Sequence, residues 1–134
     1  MSMTLCPCGS KNETIKCCLP LIQGIKKAKG PEELMRSRYT AYVLGNIKYI
    51  MKTMRGKPKV TFNSKDVSKW AKSVKWERLE VIKAQEKLEY GIVEFKAYYR
   101  EKGKLQCLWE ISRFEVQGPR WFYVGKYNDG SEVV

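Results

Sequence analysis

Apolar residues recur with two different periods along the chain. Up to Val74 they fall at helical spacing, and from Trp76 onward they alternate with polar residues. Gly30-Pro31-Glu32-Glu33 reads as a helix start, with proline at the first helical position and two carboxylates facing the positive dipole end. Leu34, Met35, Tyr39, Tyr42 and Val43 form the buried stripe of that helix. Gly45-Asn46 ends it and caps a second helix, in which Ile47, Ile50, Met51 and Met54 keep the same period. Arg55–Lys59, with Gly56 and Pro58, reads as a basic loop. Ser64 caps a third short helix with Val67, Trp70, Ala71 and Val74 inward and Lys65, Lys69 and Lys72 toward solvent.

The second half reads as strands. Segments 76–85, 90–101, 105–116 and 120–127 alternate, separated by a turn near Lys87–Tyr90 and by Gly103-Lys104 and Gly118-Pro119. Short turns between long strands predict an antiparallel meander. In strand 90–101, Val93, Phe95, Ala97 and Tyr99 share one face, while Ile92, Glu94, Lys96 and Tyr98 share the other. In strand 104–117, Leu108, Glu110, Ser112 and Phe114 share a face. Helices followed by a curved sheet predict an α+β fold, the helices packed on one sheet face. Tryptophans and paired tyrosines are assigned to core and cross-strand packing. Base stacking on Tyr98, Tyr99 or Trp109 has no recognisable aromatic motif behind it.

Composition narrows the function. At 134 residues the chain is one compact domain plus an appendage. No apolar run approaches the roughly 20 residues of a membrane span. Nothing before Cys6 resembles a secretory signal, so the expected compartment is the cytoplasm. There is no histidine, which rules out Ser-His-Asp and Cys-His catalysis and histidine-ligated metals. Any general acid or base must be Asp, Glu, Tyr, Lys or Cys. The net charge is +12, of which residues 1–30 carry +4, residues 31–60 carry +5, residues 61–90 carry +2 and residues 91–134 carry +1. The basic half suits phosphate backbones or acidic protein surfaces, and equally a solvated lysine-rich surface, since lysine outnumbers arginine.

Four of the five cysteines sit in the order Cys6-Pro7-Cys8-Gly9-Ser10, then Cys17-Cys18. One C-x-C pair and one vicinal pair can place four thiolates around a single ion, the tetrahedral all-sulfur shell that Zn²⁺ prefers in structural sites. Four thiolates close the shell and leave no catalytic position. Disulfides are the rival reading, but vicinal cysteines rarely bridge and no oxidising compartment is implied. Residues 19–30 read as a linker, with Leu21, Ile22 and Ile25 anchoring the cysteine segment to the body. Cys107 stands alone on the face opposite Glu110, and without histidine it lacks the usual activator of a nucleophilic thiol.

The run CPCGSKNETIKCC resembles the SEC-C motif, matching it at every cysteine and at Gly9 and Ser10. That resemblance implies a zinc knuckle that contacts other macromolecules, as at the C-terminus of the SecA translocation motor. Glu33-Leu34-Met35-Arg36-Ser37-Arg38-Tyr39-Thr40-Ala41-Tyr42, with Thr53, Glu110–Phe114 and Trp121–Val124, resembles the YchJ family of small bacterial proteins. The family pairs an N-terminal SEC-C knuckle with a nuclear-transport-factor-2-like α+β cone of helices cradled by a curved sheet. This implies a knuckle and linker over residues 1–24 and a cone domain over residues 31–134. Many members carry a second SEC-C motif at the C-terminus, whereas this chain ends at YNDGSEVV.

Cone domains of this type often hold a pocket between helix and sheet, and some relatives are isomerases, dehydratases or hydrolases. Arg36, Arg38, Tyr39, Glu110 and Arg113 are the polar residues expected near such a pocket. An inward Glu110 calls for a cationic partner, Arg38 or Arg36, in a buried ion pair tying helix to sheet. It could otherwise serve as a general base. The leading reading is a non-enzymatic zinc protein in which Cys6, Cys8, Cys17 and Cys18 bind the ion and Lys11 and Lys16 face a protein or ribonucleoprotein partner. The other readings are a small-molecule binder or enzyme using the cavity, and nucleic-acid binding through the basic N-terminal half. Cone domains commonly dimerise through their sheets, so a homodimer is also expected.

Overall fold

The alternating half of the chain forms a four-stranded antiparallel sheet in the computed structural model, which describes residues 4–127. The strands lie in sequence order: β1 (Lys75–Glu86), β2 (Tyr90–Glu101), β3 (Lys104–Gln117) and β4 (Arg120–Lys126). Phe95 lies opposite Glu110, Val93 opposite Ser112, and Phe114 opposite Tyr123. Register shifts between Trp76 and Arg78, Val81 and Lys83, and Arg113 and Phe114 interrupt the ladders. Such bulges bend a strand and increase its twist, which is how a sheet comes to curve around helices.

Among the described residues, five α-helices precede the sheet: α1 (Cys18–Ile22), α2 (Pro31–Leu44), α3 (Ile47–Lys52), α4 (Lys57–Val60) and α5 (Ser64–Ser73). Proline at its start and Glu32 and Glu33 in its first turn begin α2, as the sequence predicts. Gly45 ends it in the left-handed conformation, φ 75°, and the Asn46 N–H reaches the Ala41 carbonyl at 2.8 Å. Asn46 Oδ1 then accepts from the Tyr49 amide at 3.0 Å and starts α3. Leu34, Ile50, Val93 and Phe114 are fully buried where α2 and α3 meet the inner sheet face. Pro31 lies so close to β2 that a Cβ on Gly91 would sit 2.4 Å from its Cγ, so glycine is needed at that crossing.

Several local expectations are corrected. The cap of α5 is Asn63, whose side chain accepts from the Asp66 amide at 3.0 Å, and Ser64 is already helical. The basic segment is not all loop: Pro58 sits in the first turn of α4, where a missing N–H costs nothing. Met51 is 38% exposed, and Met54 lies beyond α3, where it bridges to Tyr123 of β4. Trp109 is 61% exposed on the outer sheet face, donating to Glu94 at 2.8 Å beneath the Lys96 ammonium. Ile25 is exposed, leaving Leu21 and Ile22 as the apolar anchors of α1. Residues 128–134, including most of the YNDGSEVV end, lie outside the described residues.

Candidate metal centre and cavity

The cysteine segment folds by its own short-range hydrogen bonds. Cys6 N–H donates to the Asn12 carbonyl at 2.8 Å and Gly9 N–H to the Cys6 carbonyl at 3.2 Å. Gly9 takes φ 82°, the left-handed turn that reverses the chain behind Cys8. A single 3₁₀ turn, Thr14–Lys16, then delivers Cys17 and Cys18 to the same point, and Cys18 opens α1.

All four sulfurs lie within 4.8 Å of one another. Cys8 Sγ is 3.7 Å from Cys17 Sγ, and Cys17 Sγ is 3.9 Å from Cys18 Sγ. A tetrahedral ion with bonds of about 2.3 Å to sulfur spaces its ligands about 3.8 Å apart. A disulfide would require about 2.05 Å, and all five cysteines are free. The cluster therefore fits a metal shell and not a covalent bridge.

Its surroundings divide the four thiols. Ser10 Oγ lies 3.1 Å from Cys17 Sγ, and Thr40 Oγ1 lies 3.5 Å from Cys6 Sγ. Hydrogen bonds from Cys18 and Cys8 hold the Cys6 thiol far below its ordinary range. Burial pushes Cys17 up, and hydrogen bonding to Cys6 and Cys8 pushes Cys18 up. Without a cation the four thiols share few negative charges, and a bound metal would release the remaining protons.

Helix α2 connects this centre to a second one. Arg36 donates to the Cys8 carbonyl and to Glu32 at 3.0 Å, bracing the cysteine loop and lining the groove beside it, not the space between helices and sheet. Arg38, two residues on, faces the opposite way and is 7% exposed. Its Nη1 donates to the Ile50 carbonyl at 2.9 Å and to Thr53 Oγ1 at 2.7 Å, and its guanidinium lies over the Tyr123 ring, 4.7 Å from the centroid. The backbone of Thr53 holds β4 there, its carbonyl accepting from the Tyr123 amide at 2.8 Å. Burial pulls the Arg38 guanidinium below its usual range, opposed by the nearby tyrosines and Glu110.

A cavity of about 490 Å³ opens between the helices and the inner sheet face. Arg38, Tyr39 and Glu110 line it, as expected; Arg36 and Arg113 do not. Arg113 lies over the Tyr90 ring and pairs with Glu115 at 3.0 Å. The expected Glu110–arginine ion pair is also absent among the described residues. Glu110 Oε2 accepts instead from Ser112 at 2.6 Å and from the Tyr123 hydroxyl at 2.9 Å. Two hydroxyl donors satisfy a half-buried carboxylate oxygen without a cation. Tyr123 was not singled out from sequence, yet it touches both charges. Burial, then the Glu110 charge, pushes its phenol above the ordinary range. Burial likewise pushes Tyr39 up to about 12. Trp70 and Trp76 form the aromatic wall, with Tyr99 packed against both and ring centroids 5.3–5.5 Å apart. Cys107 is exposed on the other sheet face.

Residues 30–126 match the family model for the YchJ middle domain, which is nuclear-transport-factor-2-like. The chain belongs to the YchJ family. A UPF0225 protein of Geobacter sulfurreducens is 37% identical over 126 residues, covering 92% of this chain and 78% of its own. One from Vibrio parahaemolyticus is 37% identical over 121 residues, covering 89% and 72%. The solution structure of a SEC-C motif protein from Rhodopseudomonas palustris superposes with TM-score 0.86 at 33% identity, covering 98% of this chain and 99% of that one. The crystal structure of a SEC-C motif protein from Psychrobacter arcticus gives 0.81 at 28% identity, covering 99% and 85%. The YchJ resemblance and the α+β fold read from sequence are thereby established. Among the described residues, no helix of this YchJ-family chain is long and apolar enough to cross a membrane.

Proposed function

We propose that this YchJ-family chain is a cytoplasmic zinc-binding interaction protein whose Cys6, Cys8, Cys17 and Cys18 hold one structural Zn²⁺. The observation that carries this is the sulfur spacing, 3.7 and 3.9 Å where zinc–thiolate geometry requires about 3.8 Å. Zinc supplies a fixed charge and a fold for residues 1–24, the knuckle, beside a cone domain over residues 31–134. The shell is closed by four thiolates, so the metal organises a surface instead of activating water.

A protein or ribonucleoprotein partner is favoured by the surface around the knuckle. A groove of about 530 Å³ opens beside Cys17, lined by Lys16, Lys26, Lys27, Lys29 and Arg36 against Glu32, Glu33 and Glu86, so cations outnumber carboxylates. Lys11 and Lys16 are exposed on the knuckle itself. This charge suits an acidic surface.

Purified chain should carry one zinc by elemental analysis, and Cys17→Ser should lose it. An affinity pull-down should then return partners from the intact chain that a Cys6→Ser/Cys8→Ser double variant fails to return. Protein without stoichiometric metal, whose N-terminal resonances are unchanged by Cys17→Ser, would sink the reading.

A further inference from the structure

The cavity holds two opposite charges that do not meet. Arg38 is 7% exposed, and hydrogen bonds to protein leave from Nη1 alone, to the Ile50 carbonyl and Thr53. Nε and Nη2 have no acceptor among the described residues, and no carboxylate stands within ion-pair distance of the guanidinium. Burying a guanidinium without a counter-ion is unfavourable by several kcal/mol. No buried side-chain nitrogen is left wholly enclosed and unbonded, so the free edge of Arg38 reaches the cavity that it lines. That edge is a planar fork of N–H donors, shaped for a carboxylate.

Glu110 presents the complementary half. Ser112 and Tyr123 both donate to Oε2, and Oε1 has no donor among the described residues. The two charges are separated by the Tyr123 ring, whose face lies under Arg38, 4.7 Å from the centroid, and whose hydroxyl is 2.9 Å from Glu110. Their offset is thus about the reach of one phenol ring. The remaining wall is mainly apolar and aromatic, including Trp70, Trp76, Phe95 and Leu108, with Thr61 and Asn63 among its polar residues. The volume, about 490 Å³, is in the range of small-molecule sites, roughly 300–1,000 Å³.

We propose that this cavity binds a small flat organic acid, its carboxylate taken by the free edge of Arg38 and a hydroxyl or amine at its far end donating to Glu110. The aromatic wall supplies the apolar contact, and the two charges set the orientation. Tyr123 is a positioning residue, since its ring carries Arg38 and its hydroxyl steadies Glu110. The site is independent of the metal centre, from which it is separated by α2.

The test is an NMR titration of the intact chain with 4-hydroxybenzoate, benzoate and phenol, read at the Trp70 and Trp76 indole N–H resonances. 4-Hydroxybenzoate should saturate these shifts, with phenol at least about tenfold weaker because it lacks the carboxylate. Glu110→Gln should weaken 4-hydroxybenzoate by about threefold to tenfold and leave benzoate within about twofold. Arg38→Lys, which keeps the charge and loses the fork, should weaken both acids about tenfold. Phenol binding as tightly as 4-hydroxybenzoate to the unaltered chain would overturn the proposal. So would the absence of any saturable shift at millimolar probe, or acid-induced shifts confined to the lysine-rich groove beside Cys17. These outcomes need no variant to fold.

Discussion

The two sides of helix α2 face centres that are built in opposite ways. Arg36 and Thr40, four residues apart and so on one face, meet a cysteine loop that spans only residues 6–18. Arg38 and Tyr42, also four apart, meet a cavity whose wall runs from Met35 to Tyr123. The cysteine loop is closed by short backbone hydrogen bonds and by thiols that a bound cation would neutralise. The cavity exists because bulged strands hold Glu110 and Tyr123 at a distance from the helix, with hydrophobic packing as the support. The first centre is a local cluster of thiols, and the second is a product of the whole fold.

Metal removal should produce the largest effect and probes how separate the centres are. Cys6, Cys8 and Cys18 are buried in continuity with the main core, so chelation should lower the stability of the whole chain by roughly 5 kcal/mol, read in guanidinium unfolding. Loss confined to the N-terminal resonances, with an unchanged global midpoint, would show the knuckle to be a separate appendage. Phe114→Ala comes next. Phe114 is 1% exposed, and its truncation should remove about 4 kcal/mol while leaving metal stoichiometry intact. A variant that also sheds its metal would couple the two centres.

Arg36→Ala tests the bracing contact at the Cys8 carbonyl. Metal affinity, by competition with a chromogenic chelator, should fall about tenfold to a hundredfold, as for other groups that orient metal ligands. The acid-binding shifts at Trp70 and Trp76 should not move. The smallest effect is expected for Tyr123→Phe, about 1 kcal/mol from one lost hydrogen bond. Because the folded-state phenol titrates above its unfolded value, its contribution is full below about pH 10 and declines as pH rises past it. Wild type should therefore lose stability more steeply than Tyr123→Phe as pH rises above about 10. Parallel slopes would mean that Tyr123 titrates alike in both states.

Legibility followed the same division. The cysteine set, the start and stop of α2 and the facing of β2 were readable because each depends on neighbours within a few residues. The inward direction of Glu110 was readable from alternation, but its partner was not. Nothing in the pattern pairs Glu110 with Tyr123, because the bulge between Arg113 and Phe114 sets which β4 residue comes alongside. Arg36 and Arg38 look equivalent in sequence; two positions along a helix rotate a side chain by about 200°, so one meets the metal loop and the other the cavity. Asn63 and Ser64 are both good capping residues, and only the extended backbone of Asn63 makes it the cap of α5.

By itself the sequence determined the family, the order of helices before strands, and a set of four cysteines spaced to meet at one point, with no histidine to replace any of them. These rest on covalent spacing and on periodicity, which act within one turn or one strand. Only the tertiary structure decided that Arg38 and Glu110 share a cavity without forming an ion pair, and that Arg36 serves the cysteines. The first depends on where a curved sheet places a residue some seventy positions away, and the second on how α2 docks against a loop 28 positions before it, both set by packing and not by local spacing.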